Sequence, residues 1–126
     1  MDTSAFPKVR IRFVGGVDDA AFRVSLDDTA RLLARGQRYS IVLDATRAER
    51  PTAVQRKLQA EFVSANAATL KRLCVGGAFA IASPIVRGAL QAILWVAPLP
   101  FEHVVFGTTQ EAEAWVDARL RRERLL

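Results

Sequence analysis

The sequence predicts an α/β layered fold in a single domain, residues 1–126, with four mostly parallel strands alternating with four helices. Two observations carry that expectation. Segments of strand period and helix period alternate regularly along the chain. And Cys74–Ala82, CVGGAFAIA, is apolar at both odd and even positions, the pattern of a strand covered on both faces at the centre of a parallel sheet. With 126 residues the chain can build one real core, and 51% hydrophobic with 25% charged residues suits a soluble globular domain.

The elements follow in order. In Lys8–Gly15, KVRIRFVG, Val9, Ile11 and Phe13 alternate with Arg10 and Arg12, as in a strand with one wet face. Gly15-Gly16 ends it. Asp18 can cap a helix to about Arg35, with Phe22, Leu26, Ala30 and Leu33 at helical spacing and Gly36 as a stop. A rival reading makes Phe22, Val24 and Leu26 a strand; the acidic first turn of Asp18 and Asp19 favours the helix. Tyr39–Ala45 is a short apolar strand ending near Asp44, and Thr46–Arg50 reads as a polar loop. Pro51 suits a first helical residue, and Val54, Leu58, Phe62 and Ala65 line a long helix to about Lys71. After the strand at Cys74–Ala82, Ser83-Pro84 is a cap and a first-turn proline for a helix to about Val96. His103–Gly107 is the fourth strand. Thr108 and Glu111 have capping-box spacing for a last helix presenting Ala112, Trp115, Val116 and Leu120.

Composition removes several function classes. The lone cysteine, Cys74, has no internal disulfide partner, and no Cys/His cluster offers a metal site. No apolar run reaches the roughly 20 residues of a membrane span, and Met1–Pro7 lacks a secretory pattern, so the expectation is a cytoplasmic protein. The net charge of +5 is spread along the chain: residues 1–63 carry 11 basic and 8 acidic groups, and residues 64–126 carry 7 and 5. Nucleic acid is therefore not an expected partner. The one dense patch, Arg119, Arg121, Arg122 and Arg124, reads as a solvated last helical turn favoured by the helix dipole.

Catalytic and cofactor motifs are missing. Gly15-Gly16 lacks the third glycine of a dinucleotide fingerprint, and there is no P-loop. Gly76-Gly77, inside a strand pattern, reads as room for a helix packed on the sheet. Asp44, Ser83 and His103 cannot form a triad in parallel strands, because His103 begins its strand while Asp44 and Ser83 lie at strand ends. Cys74 and His103 both begin strands and could meet, although a cysteine so placed is more often a small buried hydrophobe. No catalytic residue, cofactor or metal is assigned. A polar set at the carboxyl edge, Asp44, Arg47, Ser83 and Arg87, leaves an anion site or a small enzyme as the alternative reading, with Ser83 opening a helix.

The strongest anomaly is Pro84–Ala97, PIVRGALQAILWVA. Ten of its fourteen residues are apolar, and only Arg87, Gly88 and Gln91 form a polar stripe. A helix over a sheet normally shows a polar back. The leftover apolar side chains, Ile85, Val86, Leu90, Leu94 and Trp95 among them, call for a neighbouring helix, a second copy of the chain, or a lipid-like ligand.

Several segments together resemble the SpoIIAA-like branch of the STAS-related proteins: YSIVLDA ending in Asp44, the long helix after Pro51, VGGAFAIASP with IVRGAL, and VFGTTQEAEAWV. The resemblance covers roughly residues 8–121. It implies a small bacterial α/β domain with no known enzymatic activity, acting as a regulatory interaction module, binding apolar or lipid-like ligands, or touching the inner membrane surface. Members are also compared with CRAL-TRIO-type lipid-binding domains. The phosphorylatable serine of STAS anti-sigma-factor antagonists is absent here, and Thr46 in Asp44-Ala45-Thr46 is the only hydroxyl at that place. The resulting expectation is a non-enzymatic binding or regulatory module, using the apolar surface around the third helix for a homodimer, a regulatory protein or a lipid-like ligand.

Overall fold

The computed structural model describes residues 1–126. Its elements are β1 (Lys8–Gly15), α1 (Asp19–Ala34), β2 (Tyr39–Ala48), α2 (Ala53–Ala65), α3 (Ala67–Leu73), β3 (Cys74–Ala80), α4 (Pro84–Val96), β4 (His103–Phe106) and α5 (Thr109–Arg122). The four strands form one sheet in the order β1-β2-β3-β4, and every pairing is parallel. Sequential order with right-handed crossovers sends each connecting helix over the same face. Accordingly α1, α2, α3 and α4 pack among themselves on one side, and α5 alone covers the other.

Side-chain alternation along the strands sorts residues between those layers. On β3 the positions facing α5 are Gly76, Ala78 and Ala80, all small, and α5 lies close on β2 and β3. Val42, Ala78, Ala80, Ala112, Val116 and Leu120 form a closed core there. The glycine pair serves both layers. A Cβ on Gly76 would meet Trp115 of α5, while one on Gly77 would meet Ile41, Phe101 and Phe79 on the opposite face.

Caps appear where the sequence places them. Asp18 accepts from the Ala21 amide, Ser83 from Val86, and Thr108 from Glu111. The rival strand at Phe22–Leu26 does not form; the segment is helical.

Several expectations need correction. There are five helices, not four, because the helix after Pro51 breaks at Asn66 (φ −113°, ψ 15°). Both the backbone N–H and the side-chain Nδ2 of Asn66 donate to the Phe62 carbonyl, closing α2 before α3 begins. The helix starts at Ala53 rather than Pro51, because Thr52 and Gln55 form a reciprocal capping box. The expected loop at Thr46–Arg50 is partly strand: after a register shift between Arg12 and Val14, Arg47 pairs with Val14 and Ala48 with Gly15. β3 ends at Ala80, two residues early.

The wet face expected for β1 stays open at Arg12, which is exposed, while α5 covers its start. Lys8 Nζ lies 2.7 Å from Glu113 and 2.8 Å from Asp117, and Arg10 Nε donates to Glu113 at 2.6 Å. Arg119 is not solvated either. It is buried, donates to the Val75 carbonyl and to Glu102, and its guanidinium sits 4.7 Å from the Trp115 ring centroid.

Candidate functional site

The two layers differ in how tightly they meet the sheet. α5 packs directly on it, whereas α2 packs between α1 and α4 and all three stand farther from the strands. Between them lies a cavity of about 210 Å³, and 21 of its 29 lining residues are hydrophobic. The sheet supplies Ile11, Phe13, Ile41, Leu43, Phe79 and Ile81 as its floor. The roof comes from Phe22 and Leu26 of α1, Phe62 and Val63 of α2, and Val86, Leu90, Ile93 and Leu94 of α4. Leu99 and Phe101, from the segment between α4 and β4, complete it.

These side chains occupy core positions, yet many are only half-buried, including Ile11, Phe13, Ile41, Leu43, Leu90, Ile93 and Leu94. Close packing normally removes such exposure. Filling a void of this size would be worth at most on the order of 5 kcal/mol, from roughly 24 cal/mol per Å³ of cavity, less where water enters. The cavity's amino-edge end runs to Tyr39 and Leu70, which are buried; its other end carries Glu49, Arg50 and Gln55.

The leftover apolar residues of α4 divide between two directions. Val86 is buried, and it, Leu90 and Leu94 line the cavity. Ile85 is 67% exposed and Trp95 90% exposed, on the outer face. The five residues grouped by sequence therefore do not form one surface. The floor residues on β1 and β2 and the α1 wall were not assigned to a site from the sequence. Their only signal is large apolar side chains at odd strand positions, which equally describes an ordinary core.

The polar set at the carboxyl edge is largely committed to the fold. Ser83 Oγ accepts from the Val86 amide at 3.4 Å, and Arg87 donates to the Ile81 carbonyl at 3.3 Å. Arg47 is exposed. Asp44 accepts from both the amide and the hydroxyl of Thr46, at 3.1 and 2.7 Å. Partial burial disfavours the Asp44 carboxylate, but those bonds, a further one from Thr109 and the nearby Arg12 hold its pKa below the ordinary value. The Thr46 hydroxyl is thus engaged with Asp44.

Cys74 and His103 do not meet as a nucleophile and base. The register pairs His103 with Gly77, three residues beyond Cys74, and the His103 ring stacks on Phe79 at 5.6 Å. Burial pushes the Cys74 thiol up to about 12, and its hydrogen points to the Gly76 carbonyl at 3.5 Å. No group of three or more His, Cys, Asp or Glu side chains is placed to hold a metal ion. No helix is long and apolar enough to cross a membrane.

The fold is SpoIIAA-like. An uncharacterised protein of the DUF3478 family from Shewanella loihica PV-4, described as having a SpoIIAA-like fold, superposes with a TM-score of 0.59 at 14% identity, covering 85% of this chain and 82% of that one. No family model matches the sequence, and no curated protein matches it significantly.

Proposed function

We propose that the protein is a non-enzymatic binding module that holds an apolar ligand between its sheet and the layer formed by α1, α2 and α4. The observation that carries this reading is the 210 Å³ apolar cavity, walled by core-position side chains that remain half-exposed. Such a void weakens the fold when unfilled, and an apolar ligand would recover the lost contacts. The engaged state of Ser83, Arg87 and Asp44 weighs against the alternative of an enzyme or anion site at the carboxyl edge.

Native mass spectrometry of protein purified from its own host tests the proposal. A co-purifying lipid-like mass, released by organic solvent, supports it. A tightly bound polar metabolite in its place would overturn it.

A second reading, self-association, has its own observation. Ile85 and Trp95 project outward from α4 beside Val96, which is 76% exposed. A homodimer through that face would be isologous, and Trp95→Glu would turn it into a monomer in sedimentation.

A further inference from the structure

The cavity does not end in open solvent on all sides. A second cleft, of about 240 Å³ and with only six lining residues, lies between the start of α2 and the outer side of α4: Arg50, Arg56, Ile85, Gly88, Ala89 and Ala92. Arg50 lines both the apolar cavity and the cleft, which makes it the wall they share. The cleft is open at its α4 side: even a Cβ on Gly88 would meet nothing within 4 Å. Its two cations are free of carboxylates. Arg50 makes no ion pair, and Arg56 spends one nitrogen on the Pro51 carbonyl at 3.0 Å, leaving the rest of its fork unused. The one acidic side chain on the cavity lining, Glu49, is turned against Gly16, whose added Cβ would lie 2.9 Å from Oε2.

An apolar chamber that leads to a pair of unpaired guanidinium groups has the chemistry of an amphiphile site. Arginine forks match carboxylate and phosphate oxygens, and a chain of methylenes matches the chamber. We propose that the ligand is a single-chain amphiphile with an anionic head, its chain lying between the sheet and α4 and its carboxylate or phosphate held by Arg50 and Arg56. This assignment rests on the reading of the cavity as an apolar-ligand site and adds the head group to it.

The test is a competition assay with three ligands that share one chain: dodecanoate, dodecyl phosphate and dodecanol. Each displaces the neutral fluorophore N-phenyl-1-naphthylamine from the purified protein. At least one anionic ligand is expected to bind about tenfold or more tighter than dodecanol, the effect of a charge-assisted hydrogen bond. The tighter of the two anions identifies the head as carboxylate or phosphate. In the Arg50→Gln/Arg56→Gln protein the preference should fall to within about twofold, while Lys57→Gln, on the exposed side of α2, should keep it. In wild-type protein the preference should also shrink as salt is raised, which holds even if the double variant fails to fold. If dodecanol competes as well as both anions, or the preference survives loss of both arginines, the head-group assignment is wrong and the apolar site stands. If neither the fluorophore nor any of the three ligands binds, the cavity reading fails and the assignment with it.

Discussion

Gly76 and Trp115 meet so closely that a Cβ on the glycine would lie 2.8 Å from Cη2 of the indole. That approach seats α5 on the central strand and brings Arg119 over the Trp115 ring. It makes the α5 face of the sheet the tight half of the molecule. Gly76→Ala must push the indole or the strand aside, so we expect a loss of about 1–3 kcal/mol. Denaturant melts would show it as a lower midpoint. Apolar-probe binding on the opposite face should persist in the folded protein.

Ala78 and Ala80 are wholly buried in the same half. Aspartate at either position would place a carboxylate among apolar atoms with no partner. A loss of several kcal/mol, roughly the cost of burying an unpaired polar or charged group, is expected in thermal or urea unfolding. A variant as stable as the parent would mean that α5 does not cover these positions.

Leu43 offers the opposite test. It is half-buried on the cavity floor, so a larger side chain has space to enter. Leu43→Trp should therefore cost little stability or raise it, unlike overpacking of a filled core. The same change should abolish binding of N-phenyl-1-naphthylamine. A strongly destabilised Leu43→Trp protein would show that the chamber is not roomy in solution.

The ion pairs across β1 and α5 give a pH signature. Partial burial opposes the Glu113 carboxylate, but hydrogen bonds from Arg10 and Lys8 outweigh it and hold its pKa below the ordinary 4.5. A carboxyl whose folded pKa is depressed contributes stability above its unfolded pKa and loses it as pH falls through the folded one. For Lys8, desolvation lowers the pKa, but Asp117 and Glu113 raise it further, to a net value above 10.5. Its contribution is complete below the unfolded pKa and is lost as pH rises through the folded one. Glu113→Gln should thus cost about 1.5–3 kcal/mol at neutral pH, the range for hydrogen bonds to charged groups. The deficit relative to wild type should shrink as pH falls below the ordinary glutamate range and vanish once the carboxyl is protonated in the folded state as well. Melting temperatures of the two proteins across pH provide the comparison.

Much of this architecture is legible in the residues. The double parity of Cys74–Ala82 announces a central parallel strand, though it runs two residues past the strand's end, and Asp18, Ser83 and Thr108 mark helix starts because each side chain has an amide within reach. The break at Asn66 is hidden, since the apolar spacing of Phe62 and Leu70 continues across it on one side of the sheet. The cavity is hidden for a different reason. Phe13, Ile41, Leu43 and Phe79 have the same pattern whether the facing helices touch them or stand off, because separation between layers is not a periodicity. The excess apolar character of α4 is the one sign of it. That sign points two ways, with Leu90 and Leu94 turned inward and Ile85 and Trp95 outward. Arg119 shows the converse limit, since a cation in a run of arginines reads as solvated until Val75 and Glu102 are seen to receive it.

The most direct measurement of the central claim is a side-chain NMR titration of the protein with N-phenyl-1-naphthylamine. An apolar site between the layers requires saturable shifts at Ile41, Leu43, Phe79, Leu90 and Leu94, with Val116 and Leu120 on the α5 face unmoved. Shifts confined to Ile85, Trp95 and Val96 would place binding on the outer face of α4 and contradict the account, as would a spectrum that does not change.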